Sequence, residues 1–227
     1  MNRYRQEYKY LLDCVQESIL LVRASGILGK DPHALQDGGY LVRSLYFDDY
    51  DDTCLFENES GTDCRSKFRL RYYNDGFSKA RLEKKSKVRG RTLKEACMTS
   101  EEESLALMSG EIPDVKPEMS EEKRRMFMEM RIRRLVPKVI VSYDRIPFVY
   151  GNGSVRITFD KNITSSHDIG SFLDGDYASR PILSQGNSIL EVKWDDVLPL
   201  HIKDVLGLDT LAWTAFSKYY MCRTYHL

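Results

Sequence analysis

The sequence predicts an α+β fold in which eight antiparallel strands form a β-barrel that helices cover from outside. Charged and apolar residues alternate along several runs, which is typical of strands with two different faces. Turn signals and helical stretches separate these runs. No linker or internal repeat divides the 227 residues, of which 42% are hydrophobic, so we expect one domain over 1–227.

The expected strands lie near residues 3–10, 39–47, 64–74, 78–88, 91–97, 138–149, 154–161 and 187–194. Asn74-Asp75-Gly76 and Asn152-Gly153 are turn signals that predict hairpins. Helices are expected from Asp13 to about Ala24, after Ser100 as far as Gly110, and from Ser120 to about Leu135, where Pro137 ends the last one. Two short helices are expected near 199–206 and 209–219, and a mobile loop over 162–186.

The charge is balanced overall but unevenly distributed. Lysine and arginine number 34, as do aspartate and glutamate, so a generally basic protein is excluded. Twelve of the cations lie between Arg65 and Lys94, where only Asp75 and Glu83 oppose them. Arg65, Lys67, Arg69 and Arg71 occupy alternate positions, and the run from Arg81 to Arg89 repeats the pattern.

Such a row is either a solvated sheet face or an anion site. Neighbouring unit charges repel by up to about 4 kcal/mol at an effective dielectric constant near 20. Salt would screen this repulsion, whereas a bound polyanion would relieve it more fully, and the arginine fork suits phosphate oxygens.

Four other predicted strands also pair an apolar face with a charged one. Their charged residues include Arg5, Glu7 and Lys9 on the first, Arg145 on the sixth, Arg156, Thr158 and Asp160 on the seventh, and Glu191 and Lys193 on the eighth. If these faces point inward, the barrel encloses a polar tunnel instead of a packed core.

The remaining composition excludes several classes of protein. The five cysteines lack CxxC spacing and the four histidines are scattered, so neither a disulfide framework nor a zinc site is indicated. No apolar run reaches the length of a membrane span, and no signal sequence is evident at the N-terminus. We therefore expect a cytoplasmic protein without a membrane span.

Several short motifs together resemble a known family. In order they are Glu7-Tyr8-Lys9-Tyr10, Arg43-Ser44-Leu45-Tyr46-Phe47-Asp48, Arg65-Ser66-Lys67-Phe68-Arg69-Leu70-Arg71-Tyr72, Leu82-Glu83-Lys84-Lys85, Val141-Ser142-Tyr143-Asp144-Arg145, Val155-Arg156-Ile157-Thr158-Phe159-Asp160, Leu190-Glu191-Val192-Lys193 and Ser217-Lys218-Tyr219. The ordered set resembles the catalytic domain of vacuolar transporter chaperone (VTC) proteins, especially its bacterial relatives. That family belongs to the triphosphate tunnel metalloenzymes.

The resemblance implies a tunnel that binds a triphosphate with a divalent metal, Mn²⁺ or Mg²⁺. It also implies polyphosphate polymerase activity, in which the γ-phosphoryl group of ATP extends a polyphosphate chain. The implied phosphate-binding residues are Lys9, Arg69, Arg71, Lys85, Lys94, Arg145, Arg156 and Lys218, to which we add Lys193 from the charged strand face. Arg69, Arg71, Lys85, Arg145 and Arg156 are the candidates for catalysis. Glu191 is the implied metal ligand, with Glu7 and Glu83 as further candidates.

The sequence departs from the family pattern at two positions. The wider superfamily has Glu-x-Glu-x-Lys on the first strand, where this chain has Arg5-x-Glu7-x-Lys9. Eukaryotic members have a second lysine three residues before the one matched by Lys218, where this chain has Ala215.

Other functions stay open at this point. The same tunnel could hydrolyse inorganic triphosphate or a nucleoside triphosphate, or it could hold polyphosphate without turnover. Nucleic-acid binding through the basic segment is disfavoured, because acidic stretches lie nearby and no RNA-binding signature occurs. A membrane or export partner protein is also left open.

Overall fold

A computed structural model describes residues 6–31, 34, 38–74, 76–88, 91–151 and 154–225. In chain order the elements are β1 (Gln6–Leu12), α1 (Cys14–Ile27), β2 (Gly29–Lys30), β3 (Tyr40–Asp48), α2 (Thr53–Glu59), β4 (Arg65–Tyr73), β5 (Arg81–Val88), β6 (Arg91–Met98), α3 (Glu101–Ser109), α4 (Glu121–Ile132), β7 (Val136–Tyr150), β8 (Val155–Ser166), β9 (Arg180–Pro181), β10 (Ser188–Trp194), α5 (Leu200–Leu206) and α6 (Lys218–Thr224).

The eight long strands form one antiparallel sheet in the order β1-β10-β8-β7-β3-β4-β5-β6, with β2 beside β7 and β9 beside β8. The sheet curls into a half-barrel, which confirms the predicted α+β fold of eight strands and helices. Among the described strands no ladder joins β1 to β6, so the sheet is curled without being hydrogen-bonded all the way round. Both predicted hairpins form, as β4–β5 and β7–β8, although Asp75 and Asn152-Gly153 lie outside the described residues.

Helices cover the convex face of the sheet, as the alternation of apolar residues predicts. Leu20 of α1 and Ile202 of α5 are buried against one half of the sheet, in a cluster with Ile157. Met126 and Met130 of α4 are buried against the other half. None of the described helices has the length and hydropathy of a membrane span.

The concave face is less polar than the tunnel expected from the sequence. Here α6 packs Tyr219 and Cys222 into a cluster with residues of β3, β7 and β10, including Val42, Val141 and Ile189. The polar tunnel expected from the sequence therefore occupies only part of the interior, because α6 and α2 fill another part with an apolar core. The cationic side chains lie beside this core.

The helix expected at 209–219 is also wrong. A 3₁₀ turn ends at Thr210, and the following segment runs beside β1, where the Thr214 amide donates to the carbonyl oxygen of Lys9 at 2.9 Å. The last helix starts only at Lys218, after Ser217, whose hydroxyl accepts from the Tyr220 amide as an N-cap. Backbone pairing with the edge strand β1 thus holds this segment extended.

Two further boundaries differ from the prediction, and one helix was not predicted. The predicted loop 162–186 begins later, since β8 continues to Ser166 along the 15-residue strand β7. Helix α4 ends at Ile132, and Pro137 lies within β7 at a register shift opposite β3, where a strand tolerates proline. Helix α2 was not predicted; the amides of its second and third residues, Cys54 and Leu55, donate to the buried Asp48 carboxylate.

Candidate functional site

The concave face gathers the alternating charges of β4 and β5. Lys67, Arg69 and Arg71 share one face of β4, and the antiparallel register sets Lys67 opposite Lys85 and Arg69 opposite Glu83. On the next strand Lys94 is opposite Lys85. The predicted period-two row is therefore one continuous basic surface across three strands.

The curl of the sheet brings a second charged surface in front of the first. Strands β1 and β5 are near opposite ends of the strand order. Even so, Lys85 Nζ lies 3.2 Å from Glu7 Oε2. Residues on β1 and β10, which include Lys9 and Lys193, therefore face the basic row of β4 to β6 across one interior. These two facing surfaces are the walls of the site.

Glu83 neutralises part of the basic row. Its Oε2 lies 2.7 Å from Arg69 and 3.7 Å from Arg71, and its Oε1 lies 2.5 Å from Lys94. Burial favours the protonated form of Glu83, but the charges of Arg69, Arg71 and Lys94 outweigh it and lower the pKa. Glu83 is thus an ionised spacer between three cations. Arg71 also donates to Ser44 Oγ and to the Tyr143 hydroxyl.

Glu191 and Asp160 are the carboxylates of a second network of ion pairs, on the wall opposite Glu83. Lys218 Nζ lies 2.6 Å from Asp160 and 2.9 Å from Glu191, and Arg145 makes two 2.7 Å hydrogen bonds to Asp160. Lys193 lies 2.6 Å from Glu191. Burial alone would raise the pKa of Glu191, but the charges of Lys193, Lys218 and the neighbouring cations outweigh burial and hold the pKa well below its ordinary value. This carboxylate is therefore ionised.

Arg156 is on the same face of β8 as Asp160 and is opposite Lys193 in the β8–β10 ladder, but its own partners are different. Its guanidinium is 2.8 Å from Asp31 Oδ2 and donates to the Tyr40 hydroxyl at 2.9 Å. The structure therefore brings all nine predicted phosphate-binding residues to the concave face; eight of them join the ion pairs of the two walls, and Arg156 is anchored by Asp31 and Tyr40. The eight are Lys9, Arg69, Arg71, Lys85, Lys94, Arg145, Lys193 and Lys218.

Sequence reasoning missed two members of the site. Asp160 was noted on a charged strand face, but its pairing with Lys218 and Arg145 depends on a long-range strand order that spacing does not reveal. Lys67 belongs to the alternating row but was not among the predicted phosphate-binding residues. Its Nζ bonds Asn58 Oδ1 and, at 3.2 Å, Ser217 Oγ. Membership of the row was the signal that could have identified it.

Glu7 and Glu191 are the residues best placed to hold a divalent metal. Both contact Lys9 and Lys193, so their carboxylates lie close together. The Thr158 hydroxyl, next to Glu191 in the sheet, is buried with no hydrogen-bond partner among the described residues. The structure shows no group of three His, Cys, Asp or Glu side chains in its described part that could hold a metal alone. One or two carboxylates with substrate phosphates is, however, the ligand set typical of Mg²⁺, so the residues fit a metal that arrives with phosphate.

Comparisons with known proteins agree with this architecture. The sequence model of the VTC domain matches residues 4–226. A putative adenylate cyclase from Bacillus halodurans aligns at a TM-score of 0.53 and 16% identity, over 94% of this chain and 95% of its own. A putative adenylyl cyclase from Hippeastrum, described as having a dominant triphosphatase activity, aligns at 0.54 and 15% identity over 99% and 97%. No curated protein matches the sequence. The structural likeness identifies the triphosphate tunnel fold.

Proposed function

Because this chain belongs to the VTC domain family, we propose that it is a polyphosphate polymerase. It would transfer the γ-phosphoryl group of ATP to the end of a polyphosphate chain and release ADP. One observation carries the proposal: two walls of lysine and arginine face each other across the concave side of the sheet, joined by the contact between Lys85 and Glu7. A linear polyanion is the ligand class that matches such a surface.

The two walls would play different parts. Lys85 and Lys94 have side chains that are 43% and 50% exposed, so they can turn from their carboxylates toward an entering phosphate. Arg69 and Arg71 are held by Glu83 and by hydroxyl groups, which fixes their guanidinium groups for phosphate oxygens. Cations fixed in advance stabilise the charge that spreads over the transferred phosphoryl group.

The other wall would position the second substrate. Arg145 and Lys218 are bound to the buried Asp160, so they hold Glu191 in place between them. Lys9 and Lys193, which are less enclosed, are the cations of this wall that can meet the acceptor chain. The acceptor oxygen of a phosphate chain is already ionised at neutral pH, so the reaction requires no strong general base.

Glu191 and Glu7 would hold a divalent cation, Mg²⁺ or Mn²⁺, together with phosphate oxygens. When bound, such a cation neutralises phosphate charge and orients the phosphates. Glu83 would stay with its three cations on the opposite wall.

Incubation with ATP and Mn²⁺ tests the proposal, with chain length read on a gel and ADP measured in parallel. Long chains with matching ADP are the expected result, and Arg69→Ala should abolish both. Lys79→Ala is the matched control, because Lys79 is exposed on the turn before β5. Free phosphate without chains would instead support a triphosphatase of the same fold. Binding of polyphosphate without ADP release would support a binding module.

A further inference from the structure

We propose that Lys67 holds a phosphate of a condensed phosphate chain at the end of the concave face formed by α2 and α6. We call this site the Lys67 position. The inference rests on the proposed function and adds one residue to the nine predicted phosphate ligands. Lys67 is on the concave face of β4, two residues before Arg69. Its ammonium group contacts Asn58 of α2 and Ser217, and it lies 5.2 Å from the centre of the Tyr219 ring.

Lys67 differs from the other lysines of this face in its partners. Lys9 and Lys85 pair with Glu7, Lys94 with Glu83, Lys193 with Glu191, and Lys218 with Asp160. Within the described part of the chain, no carboxylate oxygen forms an ion pair with Lys67 Nζ; its hydrogen-bond partners are an amide and a hydroxyl. Among the residues that the structure describes, Lys67 is thus held in position by neutral groups, and its charge has no counter-ion.

The surroundings make this uncompensated charge costly. Burial and the charges of Lys85, Arg65 and Lys9 lower the pKa of Lys67 to about 7, while Cys54 acts weakly in the opposite direction. These groups come from β5, β4, β1 and α2, the elements that surround the ammonium group together with α6. A bound anion would remove the repulsion, whereas a hydrogen bond to a neutral group does not.

The spacing along β4 indicates what kind of anion fits. Lys67 and Arg71 are four residues apart on one strand, which corresponds to about 13 Å. A single phosphate cannot contact both ends of this row, but a chain of linked phosphates can follow it. The Lys67 position therefore favours long chains over short ones.

Calorimetric binding of long-chain polyphosphate and of tripolyphosphate to Lys67→Gln, Lys67→Arg and Lys79→Gln tests this inference near neutral pH. We expect Lys67→Gln to lose about tenfold in affinity for the long chain, the effect of one charge-assisted hydrogen bond. Its loss for tripolyphosphate should be smaller. Lys67→Arg should keep most of the affinity, and Lys79→Gln should match the wild type.

The melting temperature without ligand separates binding from structure. If Lys67 serves only to link α2 to α6, Lys67→Gln melts lower while its folded fraction binds the long chain as the wild type does, and the inference is overturned. If the wild type binds neither ligand, the proposed function fails as well. Normal wild-type binding with an unchanged Lys67→Gln overturns the Lys67 position alone.

Discussion

At the scale of single residues, the cations of the concave face occupy two environments. Lys218 and Arg145 are buried and contact Asp160, which is fully enclosed. Lys85 is 43% exposed, and its partner Glu7 lies on a strand that the sheet does not connect to β5 directly. Exposed ion pairs contribute little to stability, whereas removing one partner of a buried pair leaves an uncompensated charge.

Substitution of Lys218 should therefore affect mainly stability, and substitution of Lys85 should affect mainly phosphate binding. Lys218→Met should lower the free energy of unfolding by about 3–5 kcal/mol, because Asp160 and Glu191 then share one fewer cation. Lys85→Ala, the matched control, should change it by less than about 0.5 kcal/mol while weakening tripolyphosphate binding. Urea denaturation and calorimetry measure the two effects. Equal stabilities for both variants would contradict this assignment of roles.

The sequence was informative about the faces of strands and uninformative about partners. Alternation along β4 placed Arg69 and Arg71 on one face, because side chains on a strand alternate whatever the tertiary structure. It could not place Asp160 beside Lys218, since 58 residues of chain and a strand order set by the whole sheet separate them. The resemblance to a family identified Lys218, but Lys67 became distinctive only when its neutral partners, Asn58 and Ser217, were visible.

At the scale of elements, the segment between β8 and β10 closes the convex side of the sheet. Phe172 is fully buried there, with its ring 5.1 Å from that of Tyr72. Its carbonyl oxygen accepts a hydrogen bond from the Tyr72 hydroxyl at 2.5 Å. Tyr72 follows Arg71 on β4 and faces the opposite side, so this segment supports the strand that carries the basic row.

Removal of that ring should destabilise the fold without altering the concave face. Phe172→Ala should cost about 3–5 kcal/mol of unfolding free energy, as is usual for a fully buried aromatic side chain. Ile132→Ala is the control, since Ile132 is 77% exposed at the end of α4. Tripolyphosphate affinity of the folded protein, measured below the unfolding transition, should be that of the wild type for both variants. A loss of affinity in Phe172→Ala would show that the segment also shapes the binding face.

Elements with local signals were predicted well, and those fixed by tertiary contacts were not. Helices α1 and α3 start at side chains that form capping boxes, Asp13 with Gln16 and Ser100 with Glu103, which are readable in the sequence. Helix α2 depends on the buried carboxylate of Asp48, and the segment before α6 is extended because it pairs with β1. Neither contact leaves a periodic pattern.

At the scale of the whole molecule, the concave face makes stability depend on pH. The pKa of Lys67 falls from the ordinary 10.5 to about 7, through burial and then through Lys85 and Arg65. Between these two values the unfolded chain binds more protons than the folded protein, so the free energy of unfolding rises with pH. Above about pH 8.5 unfolded thiols ionise, whereas the buried Cys54 and Cys222 have pKa values raised to about 12, and this opposes the rise.

The effect of Lys67 on the free energy of unfolding can therefore be measured between about pH 7 and about pH 8.5. Across it the ligand-free wild type should gain stability in urea denaturation, with a contribution from Lys67 of at most about 1.4 kcal/mol per pH unit. Near pH 7, Lys67→Met should have a larger free energy of unfolding than the wild type, because the buried charge of Lys67 is absent. Its free energy of unfolding should also rise less between about pH 7 and about pH 8.5. A slope in Lys67→Met equal to that of the wild type would show that Lys67 keeps its ordinary pKa. Saturating polyphosphate should flatten the wild-type slope, since an anion at Lys67 keeps its ammonium group protonated throughout the window.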